Sequence, residues 1–245
     1  MRAGLLVVLL LIAGLAGAQN GAESAPTHIS DEGGWFEVNL GKKLSNNWSL
    51  SLVHQHRRTN FFERYHHAFW VLGGAKQIGE RSSFGGGYVY LHNQPLDLDG
   101  LSTTVYEHRG FQFFKTSRVV RNVTLTHRSQ LEERFLNTTT YPTSAENSKN
   151  EVHSFALRGR FYFGASYPLT NQLSITAFEE LFFQTDFETP LFLEQNRAGA
   201  LVKYQLSNHV AVSAGYMNWT LFTNGLPKRS VTNHTITTAL IIRLD

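Results

Sequence analysis

Leu169-Thr170-Asn171-Gln172-Leu173-Ser174-Ile175-Thr176 reads as the end of one strand, a tight turn and the start of the next. Threonine and asparagine suit the turn because their side chains hydrogen-bond the nearby backbone, and asparagine also tolerates positive φ. After the turn, apolar Leu173 and Ile175 alternate with small polar residues, which gives the strand one greasy face and one wet face. The phrase recurs twice. Leu44-Ser45-Asn46-Asn47 runs into Trp48-Ser49-Leu50-Ser51, and Leu206-Ser207-Asn208-His209 runs into Val210-Ala211-Val212-Ser213. A hairpin repeated along most of a chain builds one large antiparallel β structure, so architecture is more readable here than chemistry.

Working outward, candidate strands follow in pairs: 35–44 and 48–57, 66–78 and 83–91, 104–115 and 122–135, 153–167 and 173–184, 194–206 and 210–219, with a last one at 234–244. Connections within pairs are short, and those between pairs are longer and polar. Outer-membrane barrels share that asymmetry, and bacterial single-chain barrels usually carry an even number of strands. Eleven candidates therefore predict twelve, with a further strand near His28 to Trp35, or else ten. Many reach the roughly 9–11 residues that cross a bilayer at a tilt, whereas soluble sandwich strands are commonly about 5–6 residues long. The aromatic groups Trp35-Phe36, Trp48, Phe61-Phe62, Phe113-Phe114, Phe182-Phe183 and Trp219 lie near strand ends, as interfacial girdles do.

Composition supports this reading. Charged residues make up 17% of the chain, against 18 Phe, 9 Tyr and 4 Trp, where soluble domains carry roughly 25% charge. A net charge of +3 is too small and too dispersed to predict a nucleic-acid partner. The absence of cysteine removes disulfides, thiolate metal sites and a cysteine nucleophile. Met1-Arg2 followed by an apolar run and Ala16-Gly17-Ala18 has the form of a cleavable secretory signal. The expected organisation is thus a signal over 1–18, a flexible lead over 19–34 and an all-β transmembrane barrel over 35–245, exported to the outer membrane.

The same period assigns the charges. Glu107 and Arg109 share one side of their strand, as do Arg128, Glu132 and Arg134 on the next, opposite Val123, Leu125 and Leu131. Arg158 and Arg160 oppose Phe155, Leu157, Phe161 and Phe163, while Glu180 lies on the side of Ser174 and Thr176, and Arg197 begins another charged face. An arginine or lysine facing lipid near mid-membrane costs about 2–4 kcal/mol, so this ladder is expected inside. There it either fills and rigidifies a narrow barrel through geometrically specific arginine–carboxylate pairs, or biases a porin-like pore toward anions.

Tyr106-Glu107-His108-Arg109, His127-Arg128, Leu131-Glu132-Glu133-Arg134, Arg158-Gly159-Arg160, Glu179-Glu180-Leu181-Phe182, Gln195-Asn196-Arg197 and Gly215-Tyr216 occur in that order. Together with Trp35 and the first turn, they resemble an uncharacterised family, number 2490 among the domains of unknown function. The resemblance covers Trp35 to the C-terminus and implies an outer-membrane barrel of Gram-negative bacteria, with outer-membrane lipids and the barrel assembly machinery as partners. It supplies neither a reaction nor a ligand.

Three motifs invite chemistry. His127 and Ser129 share an outward face and resemble the His and Ser of outer-membrane lipid A deacylases and phospholipases, but no orienting acid is evident. His54 and His56 share a face, with His66 and His67 on the next strand, and could bind zinc or copper if a third ligand converged. Gly85-Gly86-Gly87 lacks the Lys-Ser/Thr and helix of a phosphate loop and reads as close packing in a wall. The expected role is non-enzymatic and cofactor-free: a narrow small-solute channel or structural barrel. The alternatives are a lipid hydrolase built on His127 and Ser129, or a secreted lipocalin-like binding barrel.

Overall fold

In the computed structural model, which describes residues 27–44, 47–60, 62–93, 101–142, 150–222 and 229–244, the repeated turns behave alike. The Leu44 amide donates to the Trp48 carbonyl, Leu169 to Leu173 and Leu206 to Val210, at 2.7, 2.8 and 2.9 Å. Thr170 Oγ1 accepts from the amide of Leu173 at 3.0 Å, and Ser207 Oγ from that of Val210 at 3.1 Å. Asn47 takes positive φ, as asparagine can at little cost. The last residue of each turn also accepts a bond from the following strand: Gln77 to Asn47, Gln205 to Gln172 and Arg243 to His209. One turn chemistry thus stitches three hairpins at the same end of the molecule.

Eleven strands result: β1 Thr27–Lys43, β2 Trp48–Thr59, β3 Arg64–Ile78, β4 Ser82–Asn93, β5 Leu101–Val120, β6 Val123–Pro142, β7 Asn150–Pro168, β8 Leu173–Thr185, β9 Phe192–Gln205, β10 Val210–Phe222 and β11 Arg229–Leu244. Sequential neighbours pair antiparallel, and β1 closes on β11 to complete a barrel. The expected count of twelve, or ten, is corrected to eleven. The segment from His28 to Trp35 forms no separate strand. It continues β1, so residues 27–34, expected as lead, are extended and paired. The expected signal segment 1–18 and residues 19–26 lie outside the described residues.

An odd count has a geometric consequence. In an up-and-down barrel, strands of odd number all run one way, so β1 and β11 must meet in parallel, and they do from Thr27↔Arg229 to Lys42↔Leu244. The barrel is therefore mixed, and its closing ladder has the evenly spaced, slanted bonds of a parallel pair.

Two bulges reset the alternation. One lies between Arg57 and Arg58 on β2 and leaves His66 as an extra residue opposite, on β3. The other lies between Phe182 and Phe183 on β8 and leaves Glu194 as an extra residue on β9. An extra residue re-aims side chains locally, and both bulges bear on the interior described below. The three glycines of β4 do pack closely: a Cβ on Gly85 would lie 2.3 Å from the Gly74 carbonyl oxygen and 2.7 Å from the Phe113 ring.

One aromatic expectation needs correction. Trp35, Trp219 and Phe182 face inward and are buried, as does Phe113 over Gly85, so these do not belong to girdles. Trp35, Met217 and Trp219 instead form an interior cluster, with Phe178 and Leu221 packed against it. Phe36, Trp48 and Phe114 do point outward and are exposed, among many other large apolar side chains such as Leu50, Leu72 and Phe163. Phe61 lies outside the described residues.

Candidate functional site

The interior of β5 to β9 is crossed by a continuous chain of alternating guanidinium and carboxylate groups. Arg109 and Arg134 are register partners on β5 and β6, and both grip Glu107. Arg134 does so through Nε at 2.6 Å and Nη2 at 3.1 Å, Arg109 through Nη2 at 2.8 Å and a second bond from its Nε. Arg134 Nη1 continues to Glu194 at 2.9 Å, and Glu194 accepts from Arg158 Nη1 at 3.2 Å. Arg158 then donates to Glu132 from Nε at 2.8 Å and Nη2 at 2.5 Å, and Arg160 Nη1 reaches the other oxygen of Glu132 at 2.7 Å. Arg160 Nη2 and Arg128 Nη2 each meet Glu180 at 2.8 Å. Arg109 Nη1 lies 3.8 Å from Glu132 and turns the chain back on itself.

Glu132 is 0% exposed and Arg158 2%. Carboxylates removed from water this completely are tolerable only where every lone pair finds a donor, and Glu132 also accepts from Gln130 Nε2 at 2.7 Å. Phe182, itself 0% exposed, gives its ring to the guanidiniums of Arg197, Arg160 and Arg158, at 4.3, 4.6 and 5.3 Å from its centroid.

Of the nine ladder residues predicted from period two, eight join this chain. Arg197 is the exception, making no ion pair among the described residues. Glu194 completes the chain and escapes a simple parity argument. Its number would face it away from Arg197, and the bulge brings it inward.

Arg57 is a buried inward arginine that the ladder missed. It pairs in register with Trp35 on one side and His67 on the other, and its guanidinium lies 3.5 Å from the Trp35 ring centroid. Arg197 is likewise the register partner of Trp219. Trp35 and Trp219 meet edge to face, centroids 5.3 Å apart. Each arginine also donates to the glutamine two residues before it: Arg57 Nε to Gln55 at 2.5 Å and Arg197 Nη2 to Gln195 at 2.8 Å. A Gln-x-Arg opposite a tryptophan thus occurs twice, at 55–57 and 195–197, a signal readable in the sequence but not used there.

The remaining candidates separate. His54 and His56 share a face as expected, the outward one, but pack tilted against Trp70 and Tyr65 with centroids 4.1 and 5.2 Å apart. His67 turns inward and is buried, so the four histidines do not converge. Among the described residues no cluster of three or more such side chains could hold a metal.

His127 Nε2 does meet Ser129 Oγ at 2.9 Å on the outward face. However, its Nδ1 is buried without a hydrogen-bond partner. Glu179 lies in the same cross-strand row, but two strands away with Phe163 between, and it accepts instead from Asn196 Nδ2 at 3.1 Å. The acid needed to orient the base is out of reach.

The family model described as a protein of unknown function, DUF2490, matches residues 32–229. The chain belongs to this family. The matched span takes in both arginine clusters and stops at Arg229, the first residue of β11. No protein of curated function matches the chain.

Proposed function

We propose that this protein is an outer-membrane β-barrel whose lumen is sealed at mid-height by the alternating arginine–glutamate chain, so that it acts as a structural barrel with a closed interior. The observation that carries the reading is burial: Glu132 and Phe182 are fully buried although both point into the barrel. A water-filled pore at that level would wet them. Strands of 12 to 20 residues, apolar outward faces and short turns at one end support the membrane setting. On this reading the barrel contacts outer-membrane lipids, arrives by a cleaved signal and the barrel assembly machinery, and carries neither catalysis nor a cofactor. A filled interior also argues against a lipocalin-like cup, which needs an open cavity.

Conductance tests it. Protein refolded into lipid vesicles, confirmed as inserted by flotation and resistance to protease, is fused to a planar bilayer. The expected result is silence for the wild type and discrete openings for Glu132→Ala/Arg158→Ala. Steady wild-type conductance would overturn the closed lumen, and failure to partition into vesicles would overturn the membrane assignment.

One geometric fact favours a second reading. The 2.9 Å contact between His127 and Ser129 is the start of a nucleophile–base pair on a wall that would meet lipid. Turnover of lipid A or phospholipid that disappears in Ser129→Ala would establish it.

A further inference from the structure

We infer that Arg57 and Arg197, framed by Trp35, Trp219 and His67, form a binding site for a small oxyanion inside the barrel. Neither arginine makes an ion pair among the described residues, whereas Arg109, Arg128, Arg134, Arg158 and Arg160 share Glu107, Glu132, Glu180 and Glu194. Both are nine-tenths or more buried, Arg57 at 5% and Arg197 at 9% exposure. Each guanidinium lies within 5.4 Å of both indole centroids, so the two cations converge on one place and can share one ligand.

Their described polar contacts leave donors over. Arg57 gives Nε to Gln55, whose Nε2 donates on to Glu37 at 2.8 Å, so the nearest carboxylate balances Arg57 only through an amide. Arg197 gives Nη2 to Gln195, whose oxygen also accepts from Trp219 Nε1 at 3.0 Å. Its register neighbour Glu180 is spent on Arg128 and Arg160. Arg197 Nε is buried without a partner, and so are both ring nitrogens of His67, the residue directly across from Arg57. Buried donors are almost always satisfied in folded proteins. Here the unsatisfied ones cluster beside two cations that form no direct ion pair, whose forked N–H groups match carboxylate, phosphate or sulfate geometry. Tryptophan faces hold the guanidiniums in place while leaving their edges free to donate.

The inference rests on the barrel reading proposed above, but not on its lumen being closed. Because Trp35 and Trp219 are part of the site, their fluorescence reports on it directly. The outward Trp48 and Trp70 are replaced by phenylalanine to silence the remaining indoles. Sodium sulfate, whose charge is independent of pH, is titrated into the detergent-refolded protein against sodium chloride at equal ionic strength. The expected result is a saturable sulfate-specific change, with an apparent Kd at least tenfold weaker in Arg197→Gln and in Arg57→Gln. Arg197→Lys, which keeps the charge and loses the fork, is expected to weaken binding too. Heat-modifiable migration on electrophoresis verifies that each variant is folded.

A linear response, or the same midpoint in all folded variants, would overturn the site. Silent bilayers without sulfate binding remove this inference alone. Sulfate binding by a barrel that conducts freely removes the closed lumen alone.

Discussion

Two regions of one interior hold the same side chain by different means. Across β5 to β9 five arginines are held by four glutamates in an alternating chain. Across β1 to β3, β9 and β10 two arginines are held by indole faces and glutamine oxygens. The first arrangement is closed: every guanidinium touches a carboxylate, and Glu132 is fully buried. The second is open: cation–π contact stabilises a guanidinium by about 0.5–2 kcal/mol but does not cancel its charge. On the proposed reading ion pairing seals the barrel, whereas aromatic packing keeps positive charge in reserve.

The largest effect should come from breaking the sealed region. Glu132→Gln leaves Arg158 and Arg160 facing an amide in place of a carboxylate, and stripping one partner from a buried pair typically costs roughly 3–5 kcal/mol. The urea midpoint of the refolded barrel should fall accordingly with an unchanged m-value. An effect below about 1 kcal/mol would mean that water reaches this level. Glu194→Ala should cost less, about 1.5–3 kcal/mol for the charged hydrogen bonds it loses. Arg134 and Arg158 keep Glu107 and Glu132 as partners. A cost as large as that of Glu132→Gln would instead make the bulge residue the centre of the chain.

The open region should respond in the opposite sense. Arg197→Met removes a buried cation that no described carboxylate pairs with. It keeps an unbranched apolar stem against Phe182 and Trp219, contacts now made by the guanidinium at 4.3 and 5.3 Å. Lost cation–π attraction and relieved desolvation then nearly cancel, so stability should change by no more than about 1 kcal/mol. Sulfate-dependent fluorescence should nonetheless disappear. A stability loss matching Glu132→Gln would show that the two regions are neutralised alike.

How far the sequence carries this picture depends on where strict alternation holds. Alternation locates all eleven strands and turns eight of the nine predicted charges into one network, because most pairings run without interruption. It fails at the bulge between Phe182 and Phe183, where one extra residue brings Glu194 inward; no composition cue marks that point. Adjacent aromatics misled for a related reason. In Trp35-Phe36 and Phe182-Phe183 successive side chains take opposite faces, so one ring of each pair had to enter the interior. The strand count failed because evenness is a habit of bacterial barrels and not a requirement of closure. A parallel β1–β11 ladder satisfies the same backbone groups.

The smallest effect is expected on the outer wall. Ser129→Ala removes the hydroxyl that meets His127 Nε2 at 2.9 Å, a bond whose typical net worth is about 0.5–1.5 kcal/mol. Among the described residues His127 Nδ1 has no hydrogen-bond partner, and Glu179 stands beyond Phe163. On the closed-barrel reading the contact satisfies two polar groups on an apolar surface, while His127 packs against Phe163, 4.7 Å between centroids. Lipid turnover by the refolded protein should be at background in wild type and variant alike, and the urea midpoint should move only slightly. Measurable deacylation by the wild type alone would instead make the outer wall, and neither interior region, the place where this protein acts.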